Sequence, residues 1–558
     1  MLQRTRLYLL ALVAVLFSAA MNAPAQYVAT HHLRQQVSSG TLQPVGSLPS
    51  GQILKLDLVL PLRDQTALEG FVEQVYNPAS SSYRQFLTVA EFTERFGPSQ
   101  QDYDAVVQFA TTHGLTITGG SRDGMDVQVS GPVSVIEKAL HISLRTFQHP
   151  TETRVFFSPD REPTTDLHFQ LWHISGLENY SIPHPMFTRR SDYAAAHGID
   201  PKAAATPKTT GSGPSSSFLG SDMRAAYYGG TALTGAGQNL GLLEFAGTDL
   251  ADLTTYYKNI GQSNKVPITL FSADGTSTAC LDTHSGGNCD DTEQNLDLTQ
   301  ALGMAPGLAS LVMYVGSDDT PILSAMTTHK PLPLTIGCSW GWTPVDSTAL
   351  NPYFLKMAAQ GQTFFVASGD SSTWSTKNPA WPADSPYVVS VGGTDLVTAS
   401  GGGPWKSETA WTDSGGGISP AKIAITAWQQ TSGVITASNK GSKTYRNGPD
   451  VSANANFTFY TCSDQTACLA NEYGGTSFAA PMWAGFVALI NQKLASQHKA
   501  GIGFLNPTIY AQNVTSSYST GFHDITSGTS GSYSALTGFD LVTGWGSPKP
   551  GLINALAP

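Results

Sequence analysis

Short, near-continuous apolar runs recur through the later part of the chain, at residues 239–245, 308–315, 332–340, 363–367 and 387–391. Runs of this length without polar alternation are what strands buried on both faces require. Helical spacing fills the gaps between them, around residues 291–302, 321–329 and 347–360. Repeated alternation of strand and helix predicts an α/β fold with a parallel sheet flanked by helices. In such a sheet the chemistry sits just past the C-terminal ends of the strands, so the residues that follow each apolar run are the first candidates.

The earlier part of the chain is patterned differently. Residues 106–110 and 133–140 have amphipathic helical spacing and residues 126–130 alternate like a half-buried strand, which predicts a compact α+β unit. Residues 189–216 shift to Ala, Thr, Lys, Pro, Gly and Ser, the composition of an exposed linker where proteases cut. At the start, Arg4 and Arg6 precede an apolar run over residues 7–21 and the small residues Ala23-Pro24-Ala25, the pattern of a secretory signal peptide. The run is shorter than the ~18 to 20 apolar residues of a membrane-spanning helix, and no later run is long enough either. The expected layout is a signal peptide over 1–25, an α+β unit over 26–188, a linker with a maturation site over 189–216, and an α/β unit over 217–558.

Composition narrows the function. The 558 residues include 55 glycines, with 41% hydrophobic and 13% charged residues, which suits a turn-rich globular protein. The formal charge of −11 and the lack of Lys/Arg clusters exclude a nucleic-acid binder. Export to the extracellular space or periplasm permits disulfides. Cys280 with Cys289, and Cys462 with Cys468, each bracket a short polar loop that a disulfide could close, whereas Cys338 lies in an apolar run and reads as a buried free thiol. The spacings of cysteine zinc sites are absent.

The strongest chemical signal is Gly474-Gly475-Thr476-Ser477-Phe478-Ala479-Ala480-Pro481, followed by a helical run. Glycines allow a tight turn, and a serine in the first turn of a helix keeps its N–H free to stabilise an oxyanion. Asp291-Thr292-Glu293-Gln294-Asn295-Leu296-Asp297 supplies a carboxylate pair four residues apart, on one face of a helix. Two like carboxylates at that spacing are costly unless they share a proton. A third element, Ser368-Gly369-Asp370, directly follows an apolar run.

The octapeptide resembles the Gly-Thr-Ser-x-x-x-Pro motif shared by subtilisins and sedolisins, the latter being serine-carboxyl peptidases. Subtilisins take their base from a His-Gly-Thr motif, and no histidine here precedes Gly-Thr. The Glu293-x-x-x-Asp297 spacing is instead similar to the sedolisin motif, and Gly369-Asp370 to the segment whose aspartate lines the oxyanion hole. Trp381-Pro382-Ala383-Asp384, Glu408-Thr409-Ala410-Trp411, Ser414-Gly415-Gly416-Gly417 and Pro449-Asp450-Val451-Ser452 follow in the family's order, and Tyr83-Arg84-Gln85-Phe86-Leu87 with Phe96-Gly97-Pro98 resembles the pro-kumamolisin activation domain.

This resemblance implies a secreted, acid-acting endopeptidase of subtilisin-like fold, made as a self-processing zymogen. Ser477 is then the nucleophile, Glu293 its base, Asp297 the support of that base, and Asp370 the oxyanion donor. Trp340, Glu244, Ser414, Gly415 and Gly416 are the expected substrate-binding residues. One structural calcium ion is implied, held by Asp524 and Asp540 and by the carbonyls of Ile525, Leu536 and Gly538. The expected partners are protein or peptide substrates and the chain's own propeptide as an intramolecular inhibitor, with no membrane once the signal is removed and a monomeric state. A secreted binding protein that keeps the fold without catalysis is the alternative. Nine of the 13 histidines precede Ser217, which adds the expectation that acid triggers maturation.

Overall fold

The computed structural model describes residues 27–28, 31–200, 210–280, 290–464 and 468–558. The expected signal peptide over 1–25, part of the linker and Cys289 lie outside the described residues.

An antiparallel sheet organises the N-terminal unit. Its strands are β1 (Ile53–Val59), β2 (Thr116–Ser121), β3 (Asp126–Pro132) and β4 (His173–Ser175), in the order β2-β3-β1-β4. Alternation turns Leu54, Leu56 and Leu58 of β1 and Val127 and Val129 of β3 to one face. That face packs on Val106 and Phe109 of α2 (Gln100–Thr112) and on Ile136 and Leu140 of α3 (Val133–Leu140), a core distinct from that of the rest of the chain. The preceding helix α1 (Gln65–Tyr76) begins at Asp64, whose carboxylate accepts from Ala67 N at 2.9 Å. Its apolar face, Leu68, Phe71, Val72 and Val75, is buried in the larger core instead.

The larger core surrounds an eight-stranded sheet. Its strands are β5 (Asn239–Glu244), β6 (Ile268–Ser272), β7 (Ser310–Val315), β8 (Thr335–Cys338), β9 (Thr363–Ala367), β10 (Val389–Thr398), β11 (Trp405–Ala410) and β12 (Val451–Asn454). The order is β6-β7-β5-β8-β9-β10-β11, with β12 also on β10, and every pairing is parallel except β10 with β11. The expected α/β architecture is present. β10 runs well past the apolar stretch ending at 391, because its second half pairs with β11 and β12, partners that are distant in sequence.

Two helices on this sheet position the site. α4 (Thr292–Met304) and α6 (Thr476–Ser496) lie against each other, both largely buried. A Cβ on Gly485 of α6 would stand 2.9 Å from the Met304 Cβ and 3.0 Å from the Ala301 carbonyl of α4, so glycine permits this close approach. α5 (Asn351–Ala359) receives the N-terminal unit, with the Tyr76 hydroxyl of α1 donating to Ala358 O at 2.8 Å. Among the described residues no helix is long and apolar enough to cross a membrane.

Candidate active site

The first turns of α4 and α6 meet at the C-terminal edge of the sheet. Ser477 is the second residue of α6, and its hydroxyl donates to Glu293 Oε2 of α4 at 2.9 Å. Ser339, immediately after β8, supports both. Its hydroxyl donates to Asp297 Oδ1 at 2.6 Å, and its carbonyl lies 3.3 Å from the Ser477 hydroxyl.

Three buried carboxyls form a row behind the serine. Asp297 touches the carboxyls of both Glu293 and Glu244, and Trp340 Nε1 donates to Glu244 Oε2 at 3.0 Å. Burial raises all three pKa values, that of Asp297 to about 8, and mutual repulsion raises those of Glu293 and Glu244 further. Glu293 Oε1, Asp297 Oδ2 and Glu244 Oε1 are buried without a donor. Carboxylates are acceptors only, so facing oxygens of this kind are satisfied by protons shared along the row.

Asp370 follows β9 on the other side of the serine. Its Oδ1 accepts from Thr476 N and Thr476 Oγ1, both at 2.8 Å. Its Oδ2 is buried and unpartnered, and burial raises the carboxyl well above its ordinary range. Gly475 has φ of 147°, and a Cβ there would fall 2.4 Å from Asp370 Oδ2 and 2.4 Å from Met186 O. Only glycine leaves the carboxyl and that carbonyl facing each other.

Met186 belongs to a strand-like segment that threads this cleft from the N-terminal side. His184–Pro185 pairs antiparallel with Trp340–Gly341, and Thr188–Arg189 with Tyr473–Gly474. Between them, Met186 N donates to Ser339 O at 2.8 Å and Met186 O accepts from Ser477 N at 3.0 Å. The free N–H groups of the first turn of α6 are therefore used by the site itself, one on Asp370 and one on the carbonyl preceding Phe187. The adjoining cleft, about 590 Å³, is lined by Met186, Gly369, Asp370, Trp374 and Gly415 among others.

Two known families match parts of this chain. Residues 41–180 match the family described as Pro-kumamolisin, activation domain, and residues 334–546 match the Subtilase family. Kumamolisin from Bacillus sp. (strain MN-32) is 30% identical to this chain, covering 94% of it and 95% of that protein. The chain belongs to the sedolisin family of serine-carboxyl peptidases. Sedolisin from Pseudomonas sp. (strain 101) is 26% identical over 92% of this chain and 88% of that protein. A solved structure described as Pseudomonas sedolisin (serine-carboxyl proteinase) complexed with two molecules of pseudo-iodotyrostatin aligns with a TM-score of 0.51 at 26% identity, covering 63% of this chain and 98% of that one. The sedolisin fold is thus a subtilisin-like parallel sheet flanked by helices, preceded by an α+β propeptide domain.

Within this sedolisin the expected substrate-binding residues divide. Trp340 pairs through its backbone with Pro185, while its indole and Glu244 sit behind Asp297. Gly415 lines the cleft. Ser414 turns inward, accepting from Gly393 N and donating to Val542 O, both at 2.9 Å, and Gly416 packs on the Leu541 carbonyl. Ser339, Thr476 and Gly475 were not among the sequence candidates, although Ser339 adjoins Trp340, Thr476 adjoins Ser477 and Gly475 lies two residues before Ser477.

The expected calcium ligands also come together. Gly538 N donates to both oxygens of Asp524, and Leu536 N donates to Asp540 Oδ2 at 2.9 Å, so one loop spans the two carboxylates. Burial raises both, Asp540 to about 7, against the hydrogen bonds that each accepts and, for Asp524, the nearby Lys549. Among the described residues the carbonyls of Ile525, Leu536 and Gly538 accept no hydrogen bond. Cys462 and Cys468 form a disulfide, Cys338 is a buried free thiol, and Cys280 is buried beside residues outside the described set.

Proposed function

We propose that this sedolisin is a secreted, acid-acting serine endopeptidase that cuts itself free of its propeptide, using Ser477, Glu293, Asp297 and Asp370. The observation that carries this reading is the Met186 carbonyl on Ser477 N, beside a serine hydroxyl already donating to Glu293. Glu293 takes the hydroxyl proton as Ser477 Oγ attacks the carbonyl carbon, the negative charge passes to the carbonyl oxygen, and the proton is shared along the row with Asp297, backed by Glu244. Ser477 N–H and the protonated Oδ2 of Asp370 hold the oxyanion. Glu293 then gives its proton to the leaving amine, and water releases the acyl-enzyme by the reverse sequence. A binding protein without catalysis has no use for four buried acidic groups around one serine, and their burial is costly.

The bond assigned to cleavage on this reading is Met186–Phe187, just upstream of the linker over 189–216 where maturation was expected. Incubating the purified precursor in acid should release a product beginning at Phe187, at a rate independent of protein concentration, as mass spectrometry of the new terminus would show. A precursor that stays intact in acid, or a first cut elsewhere, would overturn this assignment. Secretion rests on the pattern of residues 1–25 and fits the Cys462–Cys468 disulfide.

Residues Asp524 and Asp540, with the carbonyls of Ile525, Leu536 and Gly538, suit a hard cation that takes oxygen ligands, and calcium there would neutralise the two carboxylates and fix the loop. A ligand bound by the folded state alone adds to its stability. Chelation should therefore lower the melting temperature by several degrees, and Asp540→Ala should remove that sensitivity. A melting temperature indifferent to chelator would show that no structural calcium is held.

A further inference from the structure

We propose that Glu472 and Tyr473 form a specificity strand for the leaving side of the substrate, selecting peptides with an aromatic residue directly after the cut and a basic residue at the fourth position after it. The inference rests on the reading that residues 184–190 lie in the cleft as a substrate does.

The leaving side of that segment is held in two ways. Backbone pairing of Thr188–Arg189 with Tyr473–Gly474, extended by Arg190 N donating to Glu472 O at 2.8 Å, gives affinity to any extended chain. Selectivity in strand addition comes from side chains. Here the Phe187 ring stands edge-on to Tyr473 with centroids 5.8 Å apart, and the Arg190 guanidinium pairs with the Glu472 carboxylate. Both members of the ion pair are largely shielded, with side-chain exposures of 18% and 27%. Beyond burial, Asp290 and Asp464 act electrostatically on the Tyr473 hydroxyl and raise its pKa, while Arg189 lowers it. Glu472 and Tyr473 lead directly through Gly474 and Gly475 into the turn that carries Ser477, so the register of this strand is fixed relative to the nucleophile.

The test uses the full-length chain, incubated in acid until processed, and two quenched fluorescent peptides with the sequence of residues 183–191. One carries arginine at the fourth position after the cut and the other carries glutamate. The parent should favour the arginine peptide in kcat/KM by about fivefold, the scale of a partly exposed ion pair. Glu472→Arg should reverse that order, and Glu472→Gln, which leaves shape unchanged, should bring the ratio to about one. Equal turnover of the two peptides by the parent, or an arginine preference that survives both substitutions, would overturn the inference while leaving the peptidase intact. A parent that cuts neither peptide would instead overturn the reading of residues 184–190 as a substrate, and this inference with it.

Discussion

Replacing Ser477 with alanine is expected to yield a folded protein that neither hydrolyses peptides nor cuts its own chain. The Oγ of this residue is the group aligned for attack, with its proton directed at Glu293 and its N–H already on the Met186 carbonyl. The neighbouring Ser339 hydroxyl cannot substitute, because it is committed to Asp297 and to the Ser477 carbonyl at 3.2 Å. Loss of a nucleophile of this kind removes about a millionfold in turnover. The structural cost is small by comparison, about 1 to 3 kcal/mol for leaving Glu293 Oε2 without its serine donor. Electrophoresis of the acid-incubated variant should show a single uncut chain with a melting transition near that of the parent. Spontaneous processing of the alanine variant at the parent's rate would exclude Ser477 as the nucleophile.

The second large effect is expected at the base. Glu293→Gln preserves shape but removes the acceptor for the serine proton, and should cut turnover by about a hundredfold to ten-thousandfold. Asp297→Asn should have a similar effect, since it breaks the row that lets Glu293 share its charge. His329→Ala should leave turnover unchanged, because that ring packs edge-on against Phe271 and Tyr314 away from the serine. The pH profile follows from the raised carboxyls. Burial makes Asp370 keep its proton at pH values where an ordinary aspartate has lost it, so its oxyanion donor is present in acid and lost as pH rises through that raised value. Activity should therefore fall on the alkaline side, as measured with one peptide across pH. A Glu293→Gln enzyme of parental activity would reject the carboxylate base.

Much of this site was legible in the sequence because local rules govern it. A four-residue spacing puts Glu293 and Asp297 on one helical face, glycines before Ser477 demand a turn, and unbroken apolar runs demand a covered sheet. The contributions of Ser339 and of residues 184–190 were not legible, because each depends on pairing between distant parts of the chain. Composition points to the Ala- and Ser-rich linker over 189–216 as the place to cut, whereas the segment in the cleft, residues 184–190, overlaps only its first two residues. Ser414 illustrates the converse. It lies in a motif of the family, but its hydroxyl is spent on Gly393 and Val542 rather than aimed at the cleft. The histidines also divide. His173 stacks on His32 with ring centroids 4.7 Å apart, and burial holds it neutral well below its ordinary range. A group so depressed is unaffected at neutral pH and opposes the folded arrangement increasingly as pH falls below about 6.5, so it favours loosening in acid. Asp57, buried beside Asp126 in the same sheet, has its pKa raised and so works in the other direction, its contribution being retained in acid and lost as pH rises.

The strand in the cleft is gripped on both sides of the Met186–Phe187 bond by separate pieces of the protein. His184–Pro185 stays tied to Trp340–Gly341, and the N-terminal unit stays docked through the Tyr76 hydroxyl of α1 on Ala358 O of α5, while Thr188–Arg189 stays tied to Tyr473–Gly474. Severing the bond therefore vacates nothing. On the proposed mechanism the freshly cut molecule is a complex of an enzyme with its own two products, still shut to other substrates, and two clocks govern its awakening. The first is the cut, which each molecule makes alone. The second is the departure of the propeptide, which dilution hastens and which any already liberated molecule can accelerate by destroying what has departed, so activity in a population should rise after a lag rather than in step with the cut.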